Sequence, residues 1–268
     1  MKKTDLLVIG GSAGGVLSAT TARKAYGDID ITLVRETEKV MVPCGIPYIY
    51  GTLNNTDKNV MPDTGLLDSS VHVIVDRVTQ IDRSAKIVTL AGNESIEYKK
   101  LILATGSLPI IPAFIPGNDL ENVFAVYKNQ DYLNSLLDKL QTVQNVVVIG
   151  GGFIGVEFAE QIRLSGKNVT LIELADACLW QAFDRSFTDD IEASLTANGI
   201  RLLTGAKVKK IVGATVAEGV EVESGEVIPA DIVILGLGVK PNSALAKEAG
   251  LELNGKGAIV VDQYTRTT

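Results

Sequence analysis

Aromatic side chains are scarce, 5% of 268 residues, which leaves few platforms for stacking nucleic-acid bases. Basic charge is not in surplus either: 25 Lys and Arg stand against 32 Asp and Glu, a net charge of −7. That balance argues against a nucleic-acid backbone as partner, although a local basic patch for one phosphate group is compatible with it. The two cysteines, Cys44 and Cys178, cannot staple a chain of this size. Such usage fits a reducing cytoplasm, where a lone thiol is either buried filler or chemistry. His72 is the single histidine, and no metal centre is expected. No apolar run approaches the ~20 residues that span a bilayer. The opening MKKTDLLVIGGSAGG mimics a signal peptide for a few residues, but its apolar run ends in a glycine cluster instead of a cleavage site. A soluble cytoplasmic protein without membrane contact is expected.

What is present is apolar side chain, 46% against 21% charged, enough for a sizeable core and a length that suits two domains at most. Short continuous runs of Val, Ile and Leu recur at 6–9, 31–34, 101–103, 146–149, 169–172 and 232–235. Runs of that kind read as strands covered on both faces. Helical patterns such as GVEFAEQIRL (Gly155–Leu164) follow several of them, so parallel sheets with right-handed crossovers are predicted. An internal repeat sharpens this. LLVIGGSAGGVLSATTARK aligns with VVVIGGGFIGVEFAEQIRL at a constant offset of 140 residues, Leu7 onto Val147 and Gly15 onto Gly155. After the helix the first copy runs two residues longer, and ITLVR (Ile31–Arg35) then matches VTLIE (Val169–Glu173). Between the copies, VHVIVDRVTQID, AKIVTL and ESIEYKKLILATG read as a small antiparallel meander returning to a buried strand. LPIIPAFIPG (Leu108–Gly117) reads as a linker. The predicted fold is α/β, with two Rossmann-like βαβ nucleotide-binding domains, the second inserted into the first, and the meander beside them.

In a G-x-G-x-x-G turn the glycines permit a tight bend, close approach of the backbone to pyrophosphate, and close helix–strand packing, while the helix N-terminus offers unpaired amides to the anion. Gly150, Gly152 and Gly155 satisfy the pattern in full, and Glu173 follows 18 residues after Gly155 at the end of the next strand. There it is placed to accept hydrogen bonds from a ribose 2′-hydroxyl and to repel a 2′-phosphate, and the residues at 174–177 contain no arginine. NADH is therefore expected over NADPH. The first copy is less regular, with Gly10, Ser12 and Gly15, and Arg35 aligns with Glu173. Glu36 is the neighbouring acid, which a one-residue shift would bring into that place, and the residues leave Arg35 and Glu36 both open.

VPCGIPYIYG (Val42–Gly51) sets a cysteine between proline and glycine ahead of an apolar run that is predicted to be helical. A thiol at a helix N-terminus is a stabilised thiolate and a nucleophile at neutral pH. The same composition also suits a buried structural cysteine in a turn, and the local residues do not choose between the two. The ordered set GGSAGG (Gly10–Gly15), CGIPY (Cys44–Tyr48), LILATGSLP (Leu101–Pro109), VVVIGGGFIGVEFAE (Val146–Glu160), DIVILGLGVKPN (Asp231–Asn242) and GAIVVDQYTRTT (Gly257–Thr268) resembles the flavin-dependent pyridine nucleotide–disulfide oxidoreductases. The likeness is to their single-cysteine branch of coenzyme A-disulfide reductases, NADH oxidases and peroxidases, and persulfide or polysulfide reductases, and it covers essentially the whole chain.

The resemblance implies an FAD-binding domain at 1–112, an NAD(H)-binding domain at 113–235, and a return segment of the first at 236–268. It implies that Gly10, Ser12, Ala13, Gly15 and Glu36 belong to the FAD site, with Ala104, Thr105 and Gly106 close to the flavin. Gly150, Gly152, Ile154, Gly155 and Glu173 would hold NADH, and Gly238 is counted with the cofactor-binding positions. Phe153 would cover the flavin until nicotinamide displaces it, and Glu157 would contact the nicotinamide end. Cys44 would be the redox cysteine: electrons pass from NADH through flavin to oxidised Cys44, whose thiolate reduces a sulfur substrate through a mixed disulfide, a persulfide or a sulfenic acid.

Departures from the family pattern narrow this. A second cysteine near Cys44 is absent; Cys178 lies 134 residues away and reads as buried filler. Ala13 stands where peroxidase-type members carry a histidine, and His72 in the meander reads as structural, which ranks sulfur substrates above oxygen or peroxide. Arg23 and Lys24 on the first helix suit a coenzyme A phosphate or, equally, a solvated face. Family members continue past TRTT into an alanine–glycine–aspartate flavin segment and a dimerisation domain, so a truncated form of a homodimeric parent is expected. The alternatives are an NADH oxidase, an electron-transfer subunit serving a protein partner, and a non-catalytic nucleotide-binding scaffold that keeps NADH and loses FAD.

Overall fold

A computed structural model describes residues 1–268. The apolar runs form strands whose side chains are covered on both faces. β1 (Lys2–Ile9) leads through a glycine turn into α1 (Ala13–Tyr26) and β2 (Ile31–Arg35), followed by short α2 (Thr64–Asp68) and β3 (His72–Val75). β4 (Val78–Asp82), β5 (Ile87–Leu90) and β6 (Ser95–Leu103) come next, and β7 (Ser107–Pro109) leads the chain out. β8 (Val123–Ala125), α3 (Gln130–Thr142), β9 (Asn145–Ile149), α4 (Phe153–Leu164), β10 (Asn168–Ile172), α5 (Arg185–Ala197) and β11 (Arg201–Leu203) form the second alternation. β12 (Val208–Val212), β13 (Gly219–Val222) and β14 (Val227–Pro229) precede β15 (Ile232–Leu235), β16 (Val239–Pro241) and α6 (Ala244–Glu248). Packing divides the chain into two units. One holds 1–42, 60–108 and 240–268; the other holds 43–59 and 109–239.

The first unit is built on a six-stranded sheet in the order β3-β2-β1-β6-β5-β4. β2, β1 and β6 run parallel, with Ile9 opposite both Val34 and Leu103. The meander prediction needs correction here. Residues 72–75 are a parallel strand on β2, and the chain breaks at Asp76 before β4. Asp76 makes that break: its carboxylate accepts from the Arg77 amide at 2.6 Å and the Gly92 amide at 3.2 Å. The meander itself, β4-β5-β6, extends the same sheet, because nine-residue β6 pairs with β1 on one edge and antiparallel β5 on the other. Leu6, Val8 and Leu33 pack one face with Ala19 of α1; Leu7, Ile9 and Val34 pack the other with Val88 and Ile96.

The second unit carries an all-parallel sheet, β11-β10-β9-β15-β8, and a three-stranded antiparallel sheet, β12-β13-β14. Val147, Ile149, Val233 and Leu235 pack with Val220, Val222 and Ile228. Segment 43–59 packs with this unit. Tyr50 stacks on Phe158 of α4 with centroids 5.4 Å apart, Thr52 donates twice to Gln161 Oε1, and Thr56 Oγ1 donates to Asn134 Oδ1 of α3. No helix is long and apolar enough to cross a membrane.

Candidate functional site

The two repeats fold alike down to individual contacts. Gly10 N donates to Val34 O and Gly150 N to Ile172 O, both at 2.8 Å. Gly10 and Gly150 lie at φ +113° and +107°, where a side chain is strained, and a Cβ would stand 2.1 Å from Ala104 O and 2.7 Å from Gly236 O respectively. A Cβ on Gly15 would meet Gly10 O at 1.8 Å, and one on Gly155 would meet Gly150 O at 1.7 Å. These contacts seat each helix against its strand. Gly152 is different: nothing lies within 4 Å of its Cβ position, so its absent side chain keeps open the approach to the α4 N-terminus. Ser12 occupies the same extended cap position before α1 and makes no side-chain cap bond. Neither helix has an acid in its first turn, so the positive end of each dipole is left for an anion. Both turns sit at the carboxyl ends of β1 and β9, where the strand order reverses between flanking β2 and β6, and β10 and β15. That is where an open α/β sheet takes its ligand.

Beyond the turns the copies diverge. Glu173 folds back at the end of β10, accepting from Gly151 N at 2.5 Å and Ala175 N at 2.7 Å. Arg35, its register equivalent, is buried and gives a two-pronged ion pair to Asp63, Nη1 to Oδ1 and Nη2 to Oδ2, each 2.6 Å. The guanidinium holds the Asp63 carboxyl below its usual pKa. Glu36 is exposed. Ala104 N donates to Ile9 O at 2.8 Å. Thr105 and Gly106 are latched to Asn242: Thr105 Oγ1 donates to Asn242 O at 2.6 Å, and Asn242 N donates to Gly106 O at 3.0 Å. Gly236, not singled out from sequence, is the residue that meets the second turn; Gly238, at φ +83°, accepts from Ile110 N at 3.0 Å instead. The doubled glycines of LGLG were the signal for it.

Cys44 is exposed and sits in a 3-10 turn, Pro43–Gly45, followed by a second at Pro47–Tyr50. The predicted helix is not there, and a single 3-10 turn offers little dipole. The turn is pinned by Asn59, whose Oδ1 lies 1.9 Å from where a Gly45 Cβ would be. Burial lowers the pKa of Lys128 and nearby Cys44 opposes that shift, so the two side chains lie within electrostatic reach of each other. Nothing in the local sequence marked Lys128, because it comes from the loop ahead of α3. Cys178 is fully buried and its thiol is pushed up to about 12, chiefly by burial and then by Glu192 and Glu173. Its Sγ lies 2.8 Å from a Cβ position on Gly151, so it wedges the second glycine turn.

Phe153 at the start of α4 is 55% exposed, its ring edge-on to Phe183 with centroids 6.0 Å apart. Ile154 and Glu157 are half-buried, and burial with Glu160 nearby raises the Glu157 carboxyl. After β10, Ala175, Ala177, Trp180, Phe183 and Thr188 line a hollow of about 430 Å³. On α1, Arg23 donates to the carbonyls of Ser69, Ser70 and Gly27 at 2.8, 3.2 and 2.6 Å, a clamp on its own unit, while Lys24 is exposed. His72 is exposed on β3.

Two βαβ units with matching glycine turns define a duplicated Rossmann-like fold. Residues 4–268 match the pyridine nucleotide-disulphide oxidoreductase family, to which the chain belongs. It is 33% identical over 273 residues to an NAD(P)H coenzyme A polysulfide/persulfide reductase of Pyrococcus horikoshii, covering 99% of this chain and 60% of the relative. An NADH oxidase of Methanocaldococcus jannaschii is likewise 33% identical over 273 residues, 98% of this chain and 60% of that one. Among solved structures, an NAD-dependent persulfide reductase from A. fulgidus matches with a TM-score of 0.91 and 33% identity, over 98% of this chain and 51% of the other. The chain thus spans about 60% of the length of these curated relatives.

Proposed function

We propose that the chain serves NADH-dependent reduction of a small sulfur substrate, with FAD in the first cleft, NADH in the second and Cys44 as the sulfur nucleophile. The observation that carries this reading is the duplicated cleft in a chain whose one exposed thiol has a lysine within electrostatic reach. Gly10, Ser12, Ala13, Gly15 and the latched segment 104–106 would hold FAD. Gly150, Gly152, Ile154, Gly155 and Glu173 would hold NADH. The Glu173 carboxylate accepts hydrogen bonds and repels a 2′-phosphate. Arg185, the first arginine after Glu173 in sequence, is committed to Asp189, Glu192 and the Asp176 carbonyl, so NADH is preferred.

The Cys44 thiolate attacks one sulfur of a disulfide, coenzyme A disulfide, persulfide or polysulfide; the S–S bond breaks, and the other sulfur leaves as thiolate or sulfide. Releasing the second half from Cys44 takes two electrons and a proton, the chemistry that bound FAD supplies at NADH's expense. The reading is tested by NADH consumption with coenzyme A disulfide or polysulfide as acceptor. Cys44→Ser should abolish turnover, and Cys178→Ala should leave it largely intact. Unchanged turnover in Cys44→Ser would refute the role given to the cysteine.

A further inference from the structure

We infer that Asp63, presented by Arg35, is the carboxylate that receives the adenosine ribose in the first cleft, the place that Glu173 fills in the second; this rests on FAD being the ligand of that cleft. The matched hydrogen bonds from Gly10 to Val34 and from Gly150 to Ile172 make Arg35 and Glu173 equivalent in position. Their stems lie alike: a Cβ on Gly11 would stand 2.7 Å from Arg35 Cδ, and one on Gly151 would stand 2.9 Å from Glu173 Cβ. Their chemistry is opposite, since a guanidinium has five donors and no acceptor. Arg35 therefore cannot receive a hydroxyl hydrogen.

Arg35 does recruit an acceptor. With its side chain 6% exposed, it needs an anion, and Asp63 meets it with both oxygens at 2.6 Å. Each oxygen keeps a further lone pair, and the Asp63 side chain is 41% exposed. The carboxylate is thus held in one orientation and open to a ligand, so little rotamer freedom is lost when a hydroxyl binds it. Arg35 Nε is buried with no acceptor in the chain, which leaves the pair one acceptor short, and a ribose hydroxyl oxygen or an ordered water is the kind of group that completes it. Glu36, the acid next to Arg35, has no such mount and is exposed.

The test is titration of the purified chain with FAD, followed by flavin fluorescence, with thermal unfolding as a fold control. Asp63→Asn should weaken FAD binding roughly tenfold or more, and Glu36→Gln should leave it within about twofold. Because Asp63→Asn strands a buried guanidinium, Arg35→Leu/Asp63→Leu removes both charges together and should show the same loss. Arg35→Glu/Asp63→Asn, which returns an acid to the equivalent of Glu173, should recover much of it. Wild-type affinity in Arg35→Leu/Asp63→Leu would make Asp63 a counter-ion only and overturn the inference, as would a loss confined to Glu36→Gln. A wild-type chain that takes up no FAD at all would overturn the cleft assignment itself, and the inference with it.

Discussion

Iodoacetamide at pH 7 should alkylate Cys44, the exposed thiol, and Cys44→Ser should remove the labelling. Labelling that persists undiminished in Cys44→Ser would contradict this. Cys178 should stay unreactive under the same conditions, its thiol being pushed up to about 12. At the second cleft, Glu173→Ala should shift the NADPH to NADH preference by about tenfold, measured as the ratio of kcat/KM values. Asp63 adds a pH dependence whose sign is fixed by its depressed carboxyl. The stabilisation from its pair with Arg35 is present in full above the ordinary carboxylate pKa of about 4 and is lost as pH falls through the lower folded value. Thermal midpoints of wild type and Asp63→Asn should therefore converge in acid; a constant difference would contradict the pairing.

The glycine turns separate folding from binding within one element. Gly152→Ala puts a methyl into open space at φ −76° and ψ −177°, so the fold should tolerate it while NADH binding weakens. Gly155→Ala drives a methyl to 1.7 Å from Gly150 O and should cost stability and binding together. Circular dichroism melts beside NADH titrations check the contrast, and equal melts for the two variants would defeat it. Such elements were legible because the strand, turn and helix must satisfy the same contacts in both copies, and those contacts demand glycine at the same spacing. The housing of Cys44 was not legible. Tyr50 on Phe158, Thr52 on Gln161 and Thr56 on Asn134 join residues about 80 to 110 positions apart, and no local pattern announces them. The helix expected after Cys44 failed where the chain takes up two consecutive 3-10 turns, each beginning at a proline. Phe158→Ala removes the main apolar anchor of that segment, at a cost of about 3–5 kcal/mol.

At the scale of the whole chain, the duplication and the insertion were readable, because buried parallel strands need continuous apolar runs and their order follows the crossovers. The three-stranded sheet β12-β13-β14 escaped because exposed and charged positions interrupt its strands, leaving no continuous apolar run. The role of Asp63 escaped for a different reason: its importance comes from a partner 28 positions away and not from a motif. The proposed function requires two equivalent clefts that hold two different dinucleotides. Amide hydrogen exchange with each ligand separately tests it most directly: FAD should slow exchange across Gly10–Gly15 and leave Gly150–Gly155 unchanged, and NADH should do the reverse. Protection of one turn by both ligands, or of neither, would contradict it.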